Sequence, residues 1–179
     1  MTEVFSSVLI RSDPGRVWSL LCDARMPLAA PCCFRIGVPT PERCRLVGDA
    51  TGVGAHRQCQ TRQGTIDQRI TEWEAPSRLS FEMVTDSMGL GKHLRSMADT
   101  FTLEPAEGGT RLTRLTRFET KGPFAGAKAL LFRLSVRHIH RYVMKGFKVL
   151  GEDGAMPSGS GSLEGFLKSF GFSLLLALV

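Results

Sequence analysis

Thr65–Phe81 reads TIDQRITEWEAPSRLSF, two alternating runs separated by a Pro-containing break. Successive side chains on a strand point to opposite faces. Ile66, Gln68 and Ile70 therefore share a face, and a turn at Ala75-Pro76 brings Leu79, Phe81 and Met83 onto the same side. Counting outward from that turn sets Glu72 near Leu79, Ile70 near Phe81 and Gln68 near Met83. Gln68 is the anomaly: a buried amide without partners costs roughly 1–3 kcal/mol. A glutamine facing inward between two isoleucines is a poor fit to a dry core.

Upstream, a two-residue turn at Gln63-Gly64 would pair Thr61 with Ile66, Cys59 with Gln68 and Arg57 with Ile70. The two hairpins then agree on one inner face of Arg57, Cys59, Thr61, Ile66, Gln68, Ile70, Leu79, Phe81 and Met83. The other face carries residues such as His56, Gln58, Gln60, Asp67, Arg69 and Glu82, so one side of the sheet is solvated. Downstream, strands are expected over Leu94 to Glu104 and Thr110 to Thr120, joined by the turn PAEGG. Met97, Phe101 and Leu103 face inward on the first; Leu112, Thr116 and Phe118 do so on the second. By the same parity Asp99 and Arg114 face each other inside as a paired acid and base.

Beyond Gly122-Pro123, Phe132, Val136, Ile139, Val143, Phe147 and Leu150 recur at steps of three and four, the stripe of a long helix that must be buried. At the other end, Val4 to Ile10 alternates as a first strand, and Ser12 or Asp13 caps a short helix opened by Pro14. RMPLAAPCCFRIGVPTP is too rich in Pro for a long element and reads as a broken helix or shaped loop before a strand at Arg43 to Val47. The expected fold is α+β: a curved antiparallel sheet of about seven strands wrapped around a long C-terminal helix, with two short helices after the first strand.

Residues 1–150 make one domain, 151–162 a Gly/Ser linker and 163–179 an apolar tail. The tail is shorter than the roughly 20 apolar residues that span a bilayer. It reads as an interfacial anchor, a truncated span, a segment docking on its own domain, or a stretch of artificial or frame-shifted origin. Of the 179 residues, 42% are hydrophobic and 22% charged, as in a soluble globular protein. The net charge of +6 comes from scattered basic residues without a cluster, which argues against nucleic acid as a partner. Five cysteines, odd in number and without a C-x-x-C pair, suggest neither a disulfide framework nor a zinc site. A reducing cytoplasm fits that pattern, with membrane contact only through Leu163–Val179, and the N-terminus has no secretory signature. His138 and His140 point about 200° apart on a helix, so they do not form a metal-binding pair, and both are placed at the margins of the buried stripe. No phosphate loop, Ser-His-Asp order or dinucleotide fingerprint is present, so no cofactor is expected.

The order of DPGRVWSLLCD, GVGAHRQC, GTIDQRITEWEAPSRLSF, FTLEPAEGGTRLTRLTRFE and RHIHRYVMKGFKVL resembles the START/SRPBCC superfamily of helix-grip proteins, in particular its polyketide cyclase/dehydrase-like branch. The resemblance implies a cavity between sheet and helix that holds a hydrophobic small molecule. Arg57, Cys59, Gln68, Ile70, Phe81, Met83, Met97, Phe101 and Phe132 are then the candidate ligand-binding residues. Within such a cavity Arg57 and Gln68 either meet a polar ligand end or satisfy each other across the sheet. Three functions follow: a carrier of a lipid, polyketide or aromatic metabolite; a cyclase/dehydrase-type enzyme with Arg57 and Asp99 as catalytic candidates; or a peripheral membrane protein anchored by its tail. A nucleophilic Cys59 would additionally need His138 or His140 to reach it. Oligomeric state is not specified by the sequence.

Overall fold

Eight antiparallel strands form one sheet around a long helix in the computed structural model, which describes residues 1–28 and 38–153. Along the chain these are β1 (Thr2–Ile10), α1 (Pro14–Cys22), β2 (Asp23–Arg25), β3 (Pro41–Leu46), β4 (His56–Thr61), β5 (Gly64–Glu74), β6 (Arg78–Asp86), β7 (Leu94–Ala106), β8 (Gly109–Thr120) and α2 (Ala125–Glu152). The sheet order is β1-β8-β7-β6-β5-β4-β3-β2, so the first strand returns to pair with the last. The architecture is the expected α+β helix grip. It has one strand more than expected, because the chain leaving α1 goes directly into β2 and pairs with β3. The second short helix and most of the Pro-rich segment fall on residues 29–37, outside the described residues, as do the tail and residues 154–162 of the linker; Gly151 and Glu152, assigned to the linker from sequence, instead end α2.

Local chemistry fixes the element ends. Asp13 accepts from the Arg16 amide at 3.0 Å and Pro14 occupies the first turn of α1, whose Val17, Trp18 and Leu21 are buried. Gly109 opens β8 at φ 148°, and a Cβ there would lie 2.1 Å from the Ile10 carbonyl oxygen. Only glycine lets the β7–β8 turn approach the end of β1 so closely.

The β4–β5 hairpin turns one residue earlier than expected, at Arg62-Gln63, which slips the register by two. Thr61 pairs with Gly64, Cys59 with Ile66 and Arg57 with Gln68. The Thr61 hydroxyl closes this turn, accepting from the Gln63 and Gly64 amides at 3.2 and 3.1 Å and donating to the Gly64 carbonyl at 2.7 Å. Gln63 turns its side chain away, accepting from the Thr40 amide and donating to the Val38 carbonyl, both at 3.0 Å. Because the slip is even, the inner face keeps its residues but each gains a different partner. In the β5–β6 hairpin the expected Ile70–Phe81 and Gln68–Met83 pairs form, whereas a register shift between Ile70 and Glu72 sets Glu72 opposite Ser80.

The concave face is packed at one end and hollow toward the other. Val17, Trp18 and Leu21 of α1 and Tyr142, Val143, Met144 and Phe147 of α2 close a core with Ile10, Ile70, Leu79, Phe101 and Leu112. A second cluster gathers Val4, Leu94, Phe118 and Val136, with Phe132, Met97 and Met83 partly buried against it. The N-terminal half of α2 exposes Leu130, Leu131 and Leu134.

Candidate functional site

A cavity of about 260 Å³ lies between the two clusters, with β4–β8 on one side and α2 on the other. That volume is just below the roughly 300–1,000 Å³ usual for ligand sites. Of the residues singled out from the sequence, Arg57, Cys59, Gln68, Phe81, Met83, Met97, Asp99, Phe101 and Phe132 line it. Ile70 does not; it is 1% exposed and packs into the solid core beside Ala55 and Leu79. Ser135, Val136, Ile139 and Val143 of α2 and Met26, Val38 and Pro39 from the segments flanking residues 29–37 line it as well, although they are not among the candidate residues named from the sequence. Val136, Ile139 and Val143 were legible as the buried stripe, but a stripe does not distinguish residues over a cavity from residues over packed core.

Three charged side chains line this apolar space: Arg57, Asp99 and Arg114. Asp99 and Arg114 meet as parity required. They are diagonal rather than opposite, since Asp99 pairs with Thr116 and Arg114 with Phe101. Arg114 Nε donates to Asp99 Oδ1 at 2.8 Å, and the Arg114 guanidinium lies 5.3 Å from the centroid of Phe101. Burial alone would raise the Asp99 carboxyl, but the charge and hydrogen bond of Arg114 and the Thr116 hydroxyl outweigh it and hold the group below the usual carboxylate range.

Behind Asp99 a chain of hydrogen bonds crosses to β1. A carboxylate only accepts, so the Thr116 hydroxyl donates to Asp99. Its oxygen must then accept from His140 Nε2, 2.7 Å away, which leaves His140 Nδ1 to accept from the Ser6 hydroxyl at 2.8 Å. His140 is thereby fixed as the Nε2–H tautomer. It is 1% exposed, deep in the protein rather than at a boundary, while His138 is exposed. Burial and the Arg114 charge push its imidazole down to about 3, with Asp99 opposing, so it is neutral at physiological pH. His140 does not line the cavity, and no histidine faces Cys59 there.

Arg57 has a different environment. It donates through one terminal nitrogen to Gln68 Oε1, its direct partner in the observed register, and its guanidinium stacks 4.3 Å from the centroid of Phe81. Gln68 is neutral, and among the described residues no carboxylate forms a salt bridge with Arg57. Among the described residues only two buried side-chain polar atoms have no hydrogen-bond partner, Thr40 Oγ1 and Arg57 Nε. Burial pushes the Arg57 guanidinium down to about 10, Asp99 acting against and Arg114 with the shift, and it remains cationic at neutral pH.

Cys59 is not a thiol in this structure. The β3–β4 register sets it directly opposite Cys44, with Cα atoms 4.0 Å apart, and the two form a disulfide in the cavity wall. Counting cysteines could not reveal this pair, because it depends on the register of two strands distant in sequence. With its Sγ bonded to Cys44, Cys59 offers no free thiol to the cavity in this structure. Among the described residues no helix is long and apolar enough to cross a membrane.

Several solved structures share this architecture. A START superfamily protein from Mycobacterium smegmatis aligns at 11% identity over 84% of this chain and 97% of its own, with a TM-score of 0.59. The Zhui aromatase/cyclase from Streptomyces sp. R1128 aligns at 13% identity over 89% and 99%, with a TM-score of 0.64. A protein from Arthrobacter aurescens aligns at 16% identity over 90% of each chain, with a TM-score of 0.58. At these identities the likeness is one of fold. No curated protein matches the chain in sequence. Residues 1–151 match the family described as polyketide cyclase / dehydrase and lipid transport, and the chain belongs to that family.

Proposed function

We propose that this protein binds and carries a hydrophobic or amphipathic small molecule in the cavity between its sheet and α2. The observation that carries the reading is a space of about 260 Å³ between sheet and helix whose apolar wall is interrupted by a buried, incompletely satisfied arginine. Phe81, Met83, Met97, Phe101 and Phe132 would supply affinity through burial of apolar surface, and Arg57 with Gln68 would orient the polar end. The modest volume favours a compact aromatic or medium-chain molecule over a long lipid.

A cyclase/dehydrase activity in the same cavity is the second reading, favoured by the presence of both Arg57 and Asp99 in the wall. It is less well supported, because proton transfer near neutral pH calls for a group titrating near that pH. Asp99 is held ionised by Arg114, and His140 is neutral and outside the cavity. Membrane contact through Leu163–Val179 is an independent proposal: the full chain should co-sediment with vesicles and a chain ending at Ser162 should not, and equal sedimentation of both would remove it.

Filling the cavity tests the carrier reading. Ser135 lines the cavity from α2, and its hydroxyl bonds only back to the Leu131 carbonyl of its own helix. Ser135→Trp should fold with an unchanged far-ultraviolet spectrum and lose binding of an apolar fluorescent probe that wild type binds. Undiminished binding in the filled variant would place the ligand elsewhere.

A further inference from the structure

We infer that the cavity selects a monoanionic amphiphile, a carboxylate on a compact apolar body, whose negative end neutralises Arg57. The inference rests on the carrier reading and specifies its ligand class. Of the three charged residues lining the cavity, Asp99 is matched to Arg114, which leaves the interior with one positive charge in excess. His140 adds none, because its imidazole is neutral.

An unmatched cation inside a protein is costly, and the fold supplies only partial relief. Gln68 gives Arg57 one neutral acceptor and Phe81 gives it the face of a ring. Its Nε–H has none, although the residue is only 4% exposed. A guanidinium has donors and no acceptors, so the missing partner is an acceptor, and a charged one would remove the excess charge as well. The Gln68 amide reinforces this polarity: with its oxygen turned to Arg57, its nitrogen is left as a second donor. A carboxylate oxygen brought to Arg57 thus meets donors and a positive charge in an otherwise apolar wall. An ammonium group would meet a like charge, and a hydroxyl would satisfy the hydrogen bond without the charge.

Calorimetric titration of the full chain with octanoate, octanol and octylamine at neutral pH tests the inference, because the three share one chain and differ in the end group. Charge-assisted hydrogen bonds to a buried cation predict octanoate binding about 10- to 100-fold more tightly than octanol, with octylamine weakest. Arg57→Gln should erase the preference, bringing octanoate affinity down to that of octanol in the same variant, and Arg57→Lys should retain part of it. Octanol binding as tightly as octanoate in wild type would overturn the anion selectivity and leave the carrier reading standing. Failure of all three to bind would overturn both. The wild-type series decides the matter even if an Arg57 variant does not fold.

Discussion

Two arginines face the same cavity and have opposite situations. Arg114 is part of a closed system in which Asp99, Thr116, His140 and Ser6 each give another group its partner. Arg57 has a neutral amide, an aromatic face and an Nε–H without an acceptor. A buried polar network whose members are all satisfied rigidifies the core, and loss of any one member leaves another stranded. A buried charge with partial satisfaction contributes little to stability and is available to something that arrives later. The Arg114 side is therefore structure, and the Arg57 side is where a ligand has a reason to bind.

The largest effect expected from breaking this contrast is at Asp99. Asp99→Asn removes the counter-charge of a buried guanidinium, and such breaks cost about 3–5 kcal/mol. Urea denaturation should show a lower midpoint at unchanged slope, the product of shift and slope equalling that loss. A loss below about 1 kcal/mol would mean that Arg114 is solvated rather than paired.

Acid should act on the same network through His140. The folded protein keeps this imidazole neutral down to about 3, while the unfolded chain takes up the proton near the ordinary value of 6.5. The unfolded state thus binds more protons in between, so the stabilisation is full above about 6.5 and is lost as pH falls toward about 3. The slope below 6 should approach about 1.4 kcal/mol per pH unit for this one group. His140→Gln should lower that slope by the same amount, measured from denaturation curves at pH 7 and pH 5. An identical slope in the variant would show that another group carries the acid sensitivity.

The smallest effect on stability is expected at Arg57 itself. Arg57→Met removes an unmatched buried cation and replaces it with a side chain suited to the apolar wall. Its unfolding free energy should lie within about 1 kcal/mol of wild type. A loss as large as that of Asp99→Asn would erase the distinction between the two arginines.

Parity explains how much of this was legible in the sequence. Alternation alone places Arg57, Gln68, Asp99 and Arg114 on one face, because an even slip in register leaves the face unchanged. It does not say which residue meets which. Arg57 meets Gln68 because Thr61 closes the hairpin one residue early and slips the register by two, a side-chain interaction that pattern does not encode. Cys44 meets Cys59 through the same kind of long-range register. Ile70 and Phe81 are direct partners across β5 and β6, yet Phe81 lines the cavity and Ile70 lies in packed core. Where the concave face changes from solid to hollow depends on the depth reached by α1 and α2, which no strand records. His140 was read as a boundary residue because helical phase gives direction only; its burial follows from β1 returning to pair with β8 beside α2, where Ser6 and Thr116 meet the imidazole.

The central claim is that the Arg57 side of the cavity, and not the Arg114 side, receives the ligand. Its most direct test is to follow the Nε–Hε signals of the two arginines by ¹H–¹⁵N correlation spectroscopy while octanoate is added. The Arg57 signal should move to lower field as its missing acceptor arrives, while the Arg114 signal, already bonded to Asp99, should keep its position. A static Arg57 signal, or a shift confined to Arg114, would contradict the account.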